Sequence, residues 1–209
     1  MVFNLACITS LLYVGYCMCR PIIRYKIDYT KYNRYWNIFL SGYSGITTYN
    51  VYYLLKDTSL GTLCLKDDTI ISNNVWIFLF VLSKFIELGD TFFLIQRGKR
   101  LSFLHCYHHA SVLLFTAHAW DVKNVYGVYF TGMNAFIHSI MYLYYTHPVK
   151  LFSIYITILQ CLQMVFGLFF CVYGRMYCPL YPTSFMMGML MYLSYFVLFA
   201  KYFYKRYIM

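Results

Sequence analysis

The 209-residue chain is 61% hydrophobic and 22% aromatic, with only 11% charged residues and a mean hydropathy of +0.56. Soluble domains carry about 25% charged residues, so the composition excludes a water-soluble globule. So many apolar and aromatic residues also exclude a disordered chain. At about 20 residues per membrane-spanning helix, the length holds roughly six or seven spans and no soluble domain. The net charge of +10 therefore indicates membrane orientation and contact with anionic headgroups or ligands, and it does not imply nucleic acid binding.

Apolar runs predict an all-α integral membrane protein with seven transmembrane helices in a single domain, 1–209. The predicted spans are 1–19, 36–55, 75–95, 103–120, 125–146, 151–174 and 181–204. The first run resembles a signal peptide in length, but it lacks a basic start and a small-residue cleavage site. Basic residues follow it at once, so we expect a retained first span.

The positions of the basic residues predict the direction of the spans. With alternating spans, twelve of the 17 Lys and Arg residues lie on one side and four on the other, while Lys84 lies inside the third span. Positively charged loops stay in the cytosol. We therefore expect a lumenal amino terminus and a cytosolic carboxyl terminus.

The third predicted span carries four residues that a bilayer disfavours: Lys84, Glu87, Asp90 and Thr91. Each ionised group at mid-bilayer costs about 2.5 to 3.5 kcal/mol. On a helix, Lys84 and Glu87 can pair, with Asp90 capping the arrangement. A purely structural ion pair stays open, although such residues usually face a bundle interior and mark function.

Three histidines open the fourth span, at positions that share one helical face. His105, His108 and His109 fall within an arc of about 100°. Both metal ligation and acid, base or nucleophile chemistry suit such a cluster. Spans five and six add polar stripes that predict one internal chamber shared by four helices, although hydrogen bonds between helices are the simpler alternative. The stripes are Asn134, His138, Met141, Tyr142 and Tyr145 on one helix, and Thr157, Gln160 and Gln163 on the other.

These segments together resemble the fatty acid elongase family. The resemblance rests on KFIELGDT from Lys84, HCYHH from His105, HSIMYLYY from His138 and TILQCLQ from Thr157, and it extends over nearly the whole chain from Trp36. The stretches FVLSKFIELGDTFF and MYLSYFVLFA are similar to the branch that lengthens saturated and monounsaturated chains. The resemblance implies six of the seven helices in a barrel around a narrow acyl-CoA tunnel, in the endoplasmic reticulum membrane.

The resemblance also implies a reaction, the condensation of acyl-CoA with malonyl-CoA, without metal or cofactor. His108 would carry the acyl group beside His138, while His105 and His109 orient its ring and polarise the thioester. Glu87 and Asp90 would fix the histidine tautomers. Supporting and oxyanion roles would fall to Lys84, Thr91, Asn134, Tyr142, Tyr145, Thr157, Gln160 and Gln163. Soluble condensing enzymes use a cysteine, so Cys106 is the competing nucleophile.

Substrate binding is expected at the two ends of the bundle. The cytosolic residues Arg97, Lys99, Arg100 and Lys150 are the candidates for binding the phosphates of CoA. At the lumenal end, aromatic residues are expected to stop the acyl chain, with candidates Phe166, Phe169, Phe170 and Tyr192.

Cys64 and Cys178 both fall in lumenal loops and predict a disulfide. The expected partners are acyl-CoA, malonyl-CoA, the lipid bilayer and other enzymes of the elongation cycle.

Two alternatives remain open at this point. A membrane di-iron desaturase or hydroxylase also carries an HxxHH box, but it needs about eight histidines in several clusters. This chain has six histidines and one cluster. A seven-span receptor or transporter is supported only by the number of helices.

Overall fold

The computed structural model describes residues 1–19, 28–56, 58, 60, 74–178 and 180–209. Eight α-helices have their bounds within these residues, and no strand occurs among them. The helices are α1 (Val2–Cys19), α2 (Thr30–Leu55), α3 (Val75–Ile86), α4 (Gly89–Gln96), α5 (Phe103–Asp121), α6 (Gly127–Thr146), α7 (Lys150–Tyr177) and α8 (Pro182–Tyr207).

The third predicted span consists of two helices, α3 and α4. Between them the chain tightens into a turn, in which the N–H of Asp90 bonds to the carbonyl of Glu87 at 3.1 Å. The N–H of Thr91 bonds to the carbonyl of Leu88 at 3.2 Å. Such three-residue spacing winds more tightly than an α-helix, so the side chains after the turn point in different directions from those before it.

A glycine turn positions the histidine helix directly after α4. Gly98 has a φ of 67°, and the N–H groups of Gly98 and Lys99 bond back to carbonyls in the last turn of α4, at 2.9 Å each. This is a Schellman motif, which ends α4. The hydroxyl of Ser102 then accepts a hydrogen bond from the N–H of His105 at 3.1 Å, so it caps the start of α5.

Contacts between neighbouring helices run around the bundle. Helix α2 packs on α6, α6 on α7, α7 on α8, α8 on α5, α5 on α3, and α3 on α2. Helix α1 packs mainly on the flank of α5. The histidine helix α5 therefore contacts α1, α3 and α8, and it also contacts α6.

Aromatic side chains fill the interior at the end of the bundle where α5 ends and α8 begins. The ring centroid of Phe130 lies 5.7 Å from that of Phe115 and 5.5 Å from that of Tyr192. Tyr126 and Phe185 are fully buried nearby, with centroids 5.3 Å apart. The cavity at this level measures about 30 Å³, which is room for one or two water molecules.

From Gly167 onward, the buried face of α7 is made of small residues. A Cβ on Gly167 would lie 2.5 Å from the ring of Tyr192, and a Cβ on Gly174 would overlap the ring of Phe185. These glycines allow α8 to approach closely, as small residues do between membrane helices. The expectation that Phe166 and Phe169 stop the acyl chain is wrong, because they lie on the opposite face and are 54% and 52% exposed.

The outer surface of the bundle is strongly apolar. Leu11 and Leu12 on α1 and Leu190 on α8 are examples, with 66–75% of their surface exposed. By length and composition, α1, α7 and α8 meet the criteria for a membrane-crossing helix. The described part of the chain is thus an all-helical membrane protein, and its buried ion-pair residues Lys84 and Glu87 lie in the third predicted span.

Candidate active site

A buried salt bridge lies at the centre of the site. The Nζ of Lys84 lies 2.7 and 3.0 Å from the two carboxylate oxygens of Glu87, three residues later. It also donates to Oδ1 of Asn134 on α6 at 2.7 Å, and it lies 4.3 Å from the ring centre of Phe80. The hydroxyl of Ser83 donates to the same carboxylate at 3.0 Å. The pair predicted from the i, i+3 spacing is therefore present, and α6 supplies its third member.

Asn134 and Glu87 also place His138. The Nδ2 of Asn134 lies 3.3 Å from Nε2 of His138. The other ring nitrogen, Nδ1, is 3.4 Å from Oε2 of Glu87, but it is buried and has no hydrogen bond in this geometry. A small movement of either side chain would form that bond, which would place the proton on Nδ1.

Asp90 has different partners from those predicted. Its Oδ1 accepts a 2.6 Å hydrogen bond from the indole of Trp36 on α2, and its Oδ2 accepts one of 2.6 Å from the hydroxyl of Tyr142 on α6. The expectation that Asp90 caps the Lys84–Glu87 pair and fixes a histidine tautomer is not met. The tight turn between α3 and α4 directs this carboxylate toward α2 and α6 instead.

The histidines of α5 form a contiguous group with His138. Ring centroids are 4.4 Å apart for His105 and His109, 5.5 Å for His108 and His109, and 6.5 Å for His108 and His138. The Nε2 of His105 lies 2.8 Å from Oγ1 of the fully buried Thr91. His108 is therefore the histidine of α5 whose ring lies next to His138 on α6.

Tyr195, which the sequence did not single out, contacts His108 and is itself contacted by Ser111. The ring centroid of Tyr195 on α8 lies 5.0 Å from that of the His108 imidazole, and the Tyr195 hydroxyl donates to the carbonyl of His108 at 3.2 Å. The hydroxyl of Ser111 lies 2.7 Å from the same phenol oxygen. Cys106, by contrast, packs in a cluster with Tyr13 and Cys17 of α1, away from His138.

The arrangement can support acid, base and nucleophile chemistry. Four imidazoles, a carboxylate and an amide converge in the interior of the helices, and their partners come from several elements. Such a set can attack a carbonyl carbon, transfer protons and stabilise developing negative charge. Within the part of the chain that the structure describes, no three His, Cys, Asp or Glu side chains are arranged to hold a metal ion.

Comparison with known proteins assigns the chain to a family. The ELO family model, described as the GNS1/SUR4 family, matches residues 2–209. The chain belongs to the ELO family.

The relatives carry names that agree with this assignment. The chain is 37% identical over 194 residues to very long chain fatty acid elongase 3 of Mus musculus, which covers 83% of this chain and 70% of the relative. It is 36% identical over 197 residues to fatty acid elongase 1 of Trypanosoma brucei brucei, covering 83% and 65%. It is 39% identical over 147 residues to very long chain fatty acid elongase 6 of Drosophila melanogaster, covering 64% and 46%. The chain thus spans from about half to about two thirds of the length of these relatives.

In this ELO chain, Thr157 and Gln160 have polar partners other than the histidines, while Gln163 and Tyr145 differ in exposure. The hydroxyl of Thr157 donates to the carbonyl of Ser153 at 2.9 Å, and it lies 3.3 Å from the hydroxyl of Tyr207. The amide of Gln160 contacts the sulfur of Met141 at 3.4 Å. Gln163 is buried, whereas Tyr145, at the end of α6, is 48% exposed. The expectation that all of α6's polar stripe faces inward is therefore wrong at Tyr145.

The candidate CoA-binding residues lie at the opposite end of the ELO chain's helices from Cys178. Arg97, Lys99, Arg100 and Lys150 are exposed just after α4 and at the start of α7. Cys178, at the other end of α7, is fully buried and disulfide-bonded. Cys64 lies outside the described residues, so its pairing with Cys178 stays a prediction.

Replacing Lys84 tests whether the buried salt bridge stabilises the ELO bundle. Lys84→Met leaves the Glu87 carboxylate and the Asn134 oxygen without their buried partner, which should lower stability by about 3 to 5 kcal/mol. The double variant Lys84→Met/Glu87→Gln should regain part of that loss, because no uncompensated charge remains. Thermal unfolding in detergent measures both, with Lys201→Met at an exposed position as the control. Equal unfolding temperatures for the single and double variants would contradict this account.

Proposed function

We propose that this chain is the condensing enzyme of fatty acid elongation, which joins a long-chain acyl-CoA to malonyl-CoA. The products are a 3-oxoacyl-CoA two carbons longer, carbon dioxide and free CoA. The observation that carries the proposal is the position of His108, which is partly buried between two other histidine rings with centroids 5.5 and 6.5 Å away. Membership of a family whose relatives are named as fatty acid elongases supports it.

The 209 residues form one membrane domain whose seven spans include a six-membered barrel. Its spans are α2, α3 with α4, α5, α6, α7 and α8, and the acyl tunnel runs along its axis. The sequence of helix contacts supports the barrel, because it leads from α2 through α6, α7, α8, α5 and α3 back to α2. Helix α1 packs outside the barrel, on α5.

The first half of the reaction transfers the acyl group to His108. An unprotonated ring nitrogen attacks the thioester carbonyl, a carbon–nitrogen bond forms, and the carbon–sulfur bond breaks. CoA leaves as the thiolate and takes up the proton that the imidazole loses. His105 and His109 orient the ring, and the amide of Asn134, adjacent to His138, is placed to donate to the oxyanion.

The second half forms the new carbon–carbon bond. Malonyl-CoA loses carbon dioxide, and the electron pair of that bond becomes an enolate, which attacks the acyl carbon. The carbon–nitrogen bond to His108 breaks, and the departing imidazolate takes up the one proton that the overall condensation consumes from water, so the neutral imidazole is regenerated. His138 stabilises the enolate, with Glu87 at 3.4 Å as its ionic neighbour. Tyr142 does not serve as an oxyanion donor in this scheme, because its hydroxyl donates to Asp90.

The reaction needs neither metal nor cofactor in this proposal. The histidines have hydrogen-bonding and aromatic partners rather than the converging carboxylates that a two-metal site requires. Arg97, Lys99, Arg100 and Lys150 bind the phosphates of CoA at the mouth. The protein lies in the endoplasmic reticulum membrane with a lumenal amino terminus and a cytosolic carboxyl terminus, where other enzymes of the elongation cycle consume its product.

An elongation assay tests the proposed function directly. Purified protein should convert radiolabelled malonyl-CoA and a saturated or monounsaturated acyl-CoA of about sixteen carbons into a product two carbons longer. His108→Ala should reduce the rate by at least about a hundredfold, as expected for loss of a nucleophile. A panel of acyl-CoA lengths provides the comparison. The absence of any product, at every length, would contradict the proposal.

The acyl carrier can be identified in the first half-reaction. Acyl-CoA alone should release free CoA and leave a hydroxylamine-labile mass increment on the peptide that contains His108, because no enolate is present to remove the acyl group. His108→Ala should abolish the increment and Cys106→Ala should retain it. An increment that is lost with Cys106 instead would assign the chemistry to a thiol.

The aromatic end of the bundle should set the product length. The tunnel runs from the histidines toward Phe115, Phe130 and Tyr192, so removing bulk there deepens it. Tyr192→Ala should shift the product spectrum toward longer chains, by roughly two to four carbons. Phe169→Ala, on the outer face of α7, is the matched control and should leave the spectrum unchanged. Identical spectra for both variants would contradict a tunnel that ends at this aromatic group.

A further inference from the structure

Helix α1 contacts the site although it lies on the flank of α5. Its buried face consists of Ala6, Ser10, Tyr13 and Cys17, which repeat at three- and four-residue spacing. The hydroxyl of Ser10 donates to the carbonyl of Ala110 at 3.2 Å, which fixes the register of α1 on the histidine helix. This register places Tyr13 beside the histidines.

A hydrogen-bonded chain leads from Tyr13 to a histidine. The phenol oxygen of Tyr13 lies 2.7 Å from Oγ1 of Thr91, and that same oxygen lies 2.8 Å from Nε2 of His105. Tyr13 is 5% exposed and Thr91 is fully buried. The chain joins α1, α4 and α5, and the Tyr13 ring also lies 6.3 Å from that of His109.

The chemistry of the three groups favours one direction of donation. A phenol O–H is more acidic than an aliphatic hydroxyl, so Tyr13 is the better donor and Thr91 the better acceptor between the two. The hydroxyl hydrogen of Thr91 is then directed to Nε2 of His105. A neutral imidazole that accepts at Nε2 carries its proton on Nδ1.

We propose that Tyr13 is a positioning residue that acts through Thr91 to hold His105 as the Nδ1–H tautomer in a fixed ring orientation. The ring of His105 in turn packs against that of His109 with centroids 4.4 Å apart, and the His109 centroid lies 5.5 Å from that of His108. The ring orientation that Tyr13 sets at His105 therefore affects the acyl-carrying His108 through the packing of the three rings. This role in catalysis rests on the proposed function, whereas the tautomer itself does not.

Tautomer measurement tests the proposal without any use of activity. The full-length protein is labelled with ¹⁵N in its histidine rings and placed in lipid nanodiscs, and the His105 signals are identified by their loss in His105→Gln. We expect an unprotonated Nε2 and a protonated Nδ1 in the unmodified protein. Tyr13→Phe and Thr91→Val should each produce a mixture of both tautomers, while Tyr16→Phe, which removes a phenol from the same helix, should leave the signals unchanged.

Kinetics then separate positioning from simple packing. Tyr13→Phe keeps the ring and should lower kcat about tenfold, with little change in KM for acyl-CoA, as expected for the loss of one hydrogen bond that acts on the chemical step. Thr91→Val should have a similar effect, and the double variant should be no slower than either single variant, because both remove the same chain. Thr91→Ser keeps the hydroxyl and should stay near the unmodified rate.

Three results would overturn the proposal. One is a proton on Nε2 of His105 in the unmodified protein, and another is an unchanged tautomer in both Tyr13→Phe and Thr91→Val. The third is a double variant whose loss is the product of the two single losses. A protein that shows the expected tautomer changes but elongates no acyl-CoA would instead contradict the proposed function alone.

Discussion

The bundle depends on the enclosure of one ion pair, Lys84 with Glu87. Their side chains are 1% and 4% exposed, although lipid surrounds the helices that carry them. In hydrocarbon an ammonium or carboxylate without a partner is far more costly than in water. The pair is local to α3, but its remaining hydrogen bonds require Asn134 from α6. The packing of α3 and α6 against each other is therefore a condition for placing these charges in the membrane at all.

The two carboxylates of the third span have separate structural tasks. Glu87 lies before the tight turn and contacts Lys84 and His138, whereas Asp90 lies after it and accepts from Trp36 and Tyr142. Glu87 thus holds the polar centre, and Asp90 joins α2 to α6 near one end of the helices. A continuous α-helix would turn three residues through about 300°, which would place both carboxylates on neighbouring faces. The break between α3 and α4 separates them.

The sequence predicted what periodicity and hydropathy can encode. The seven apolar segments correspond to the described helices, and the i, i+3 and i, i+4 spacings correctly paired Lys84 with Glu87 and grouped the histidines of α5. It did not reveal the contacts of Tyr13, Trp36 or Tyr195 with the site, because tyrosine and tryptophan in an apolar run are interpreted as lipid-facing or interfacial residues. Their roles follow from which helix packs on which. The same limit explains the wrong expectation for Phe166 and Phe169. The face of α7 that points inward is determined by the contact of its glycines with α8, which hydropathy does not encode.

The division of the interior into a polar half and an aromatic half constrains how any thioester can be handled here. Imidazoles, amide and carboxylate occupy the half that begins at the basic turn after α4, and the packed rings of Phe115, Phe130 and Tyr192 occupy the other. A fatty chain is driven toward the aromatic half because burying each methylene is worth about 0.8 kcal/mol. In the proposed mechanism its activated carbonyl would therefore stay at the level of His108, and the cavity among the aromatic side chains has room for one or two water molecules. In the proposed mechanism, an acyl-imidazole at His108 would be protected from hydrolysis on the side of these aromatic rings, and water would reach it from the side of the basic turn, where the CoA of the second substrate would bind.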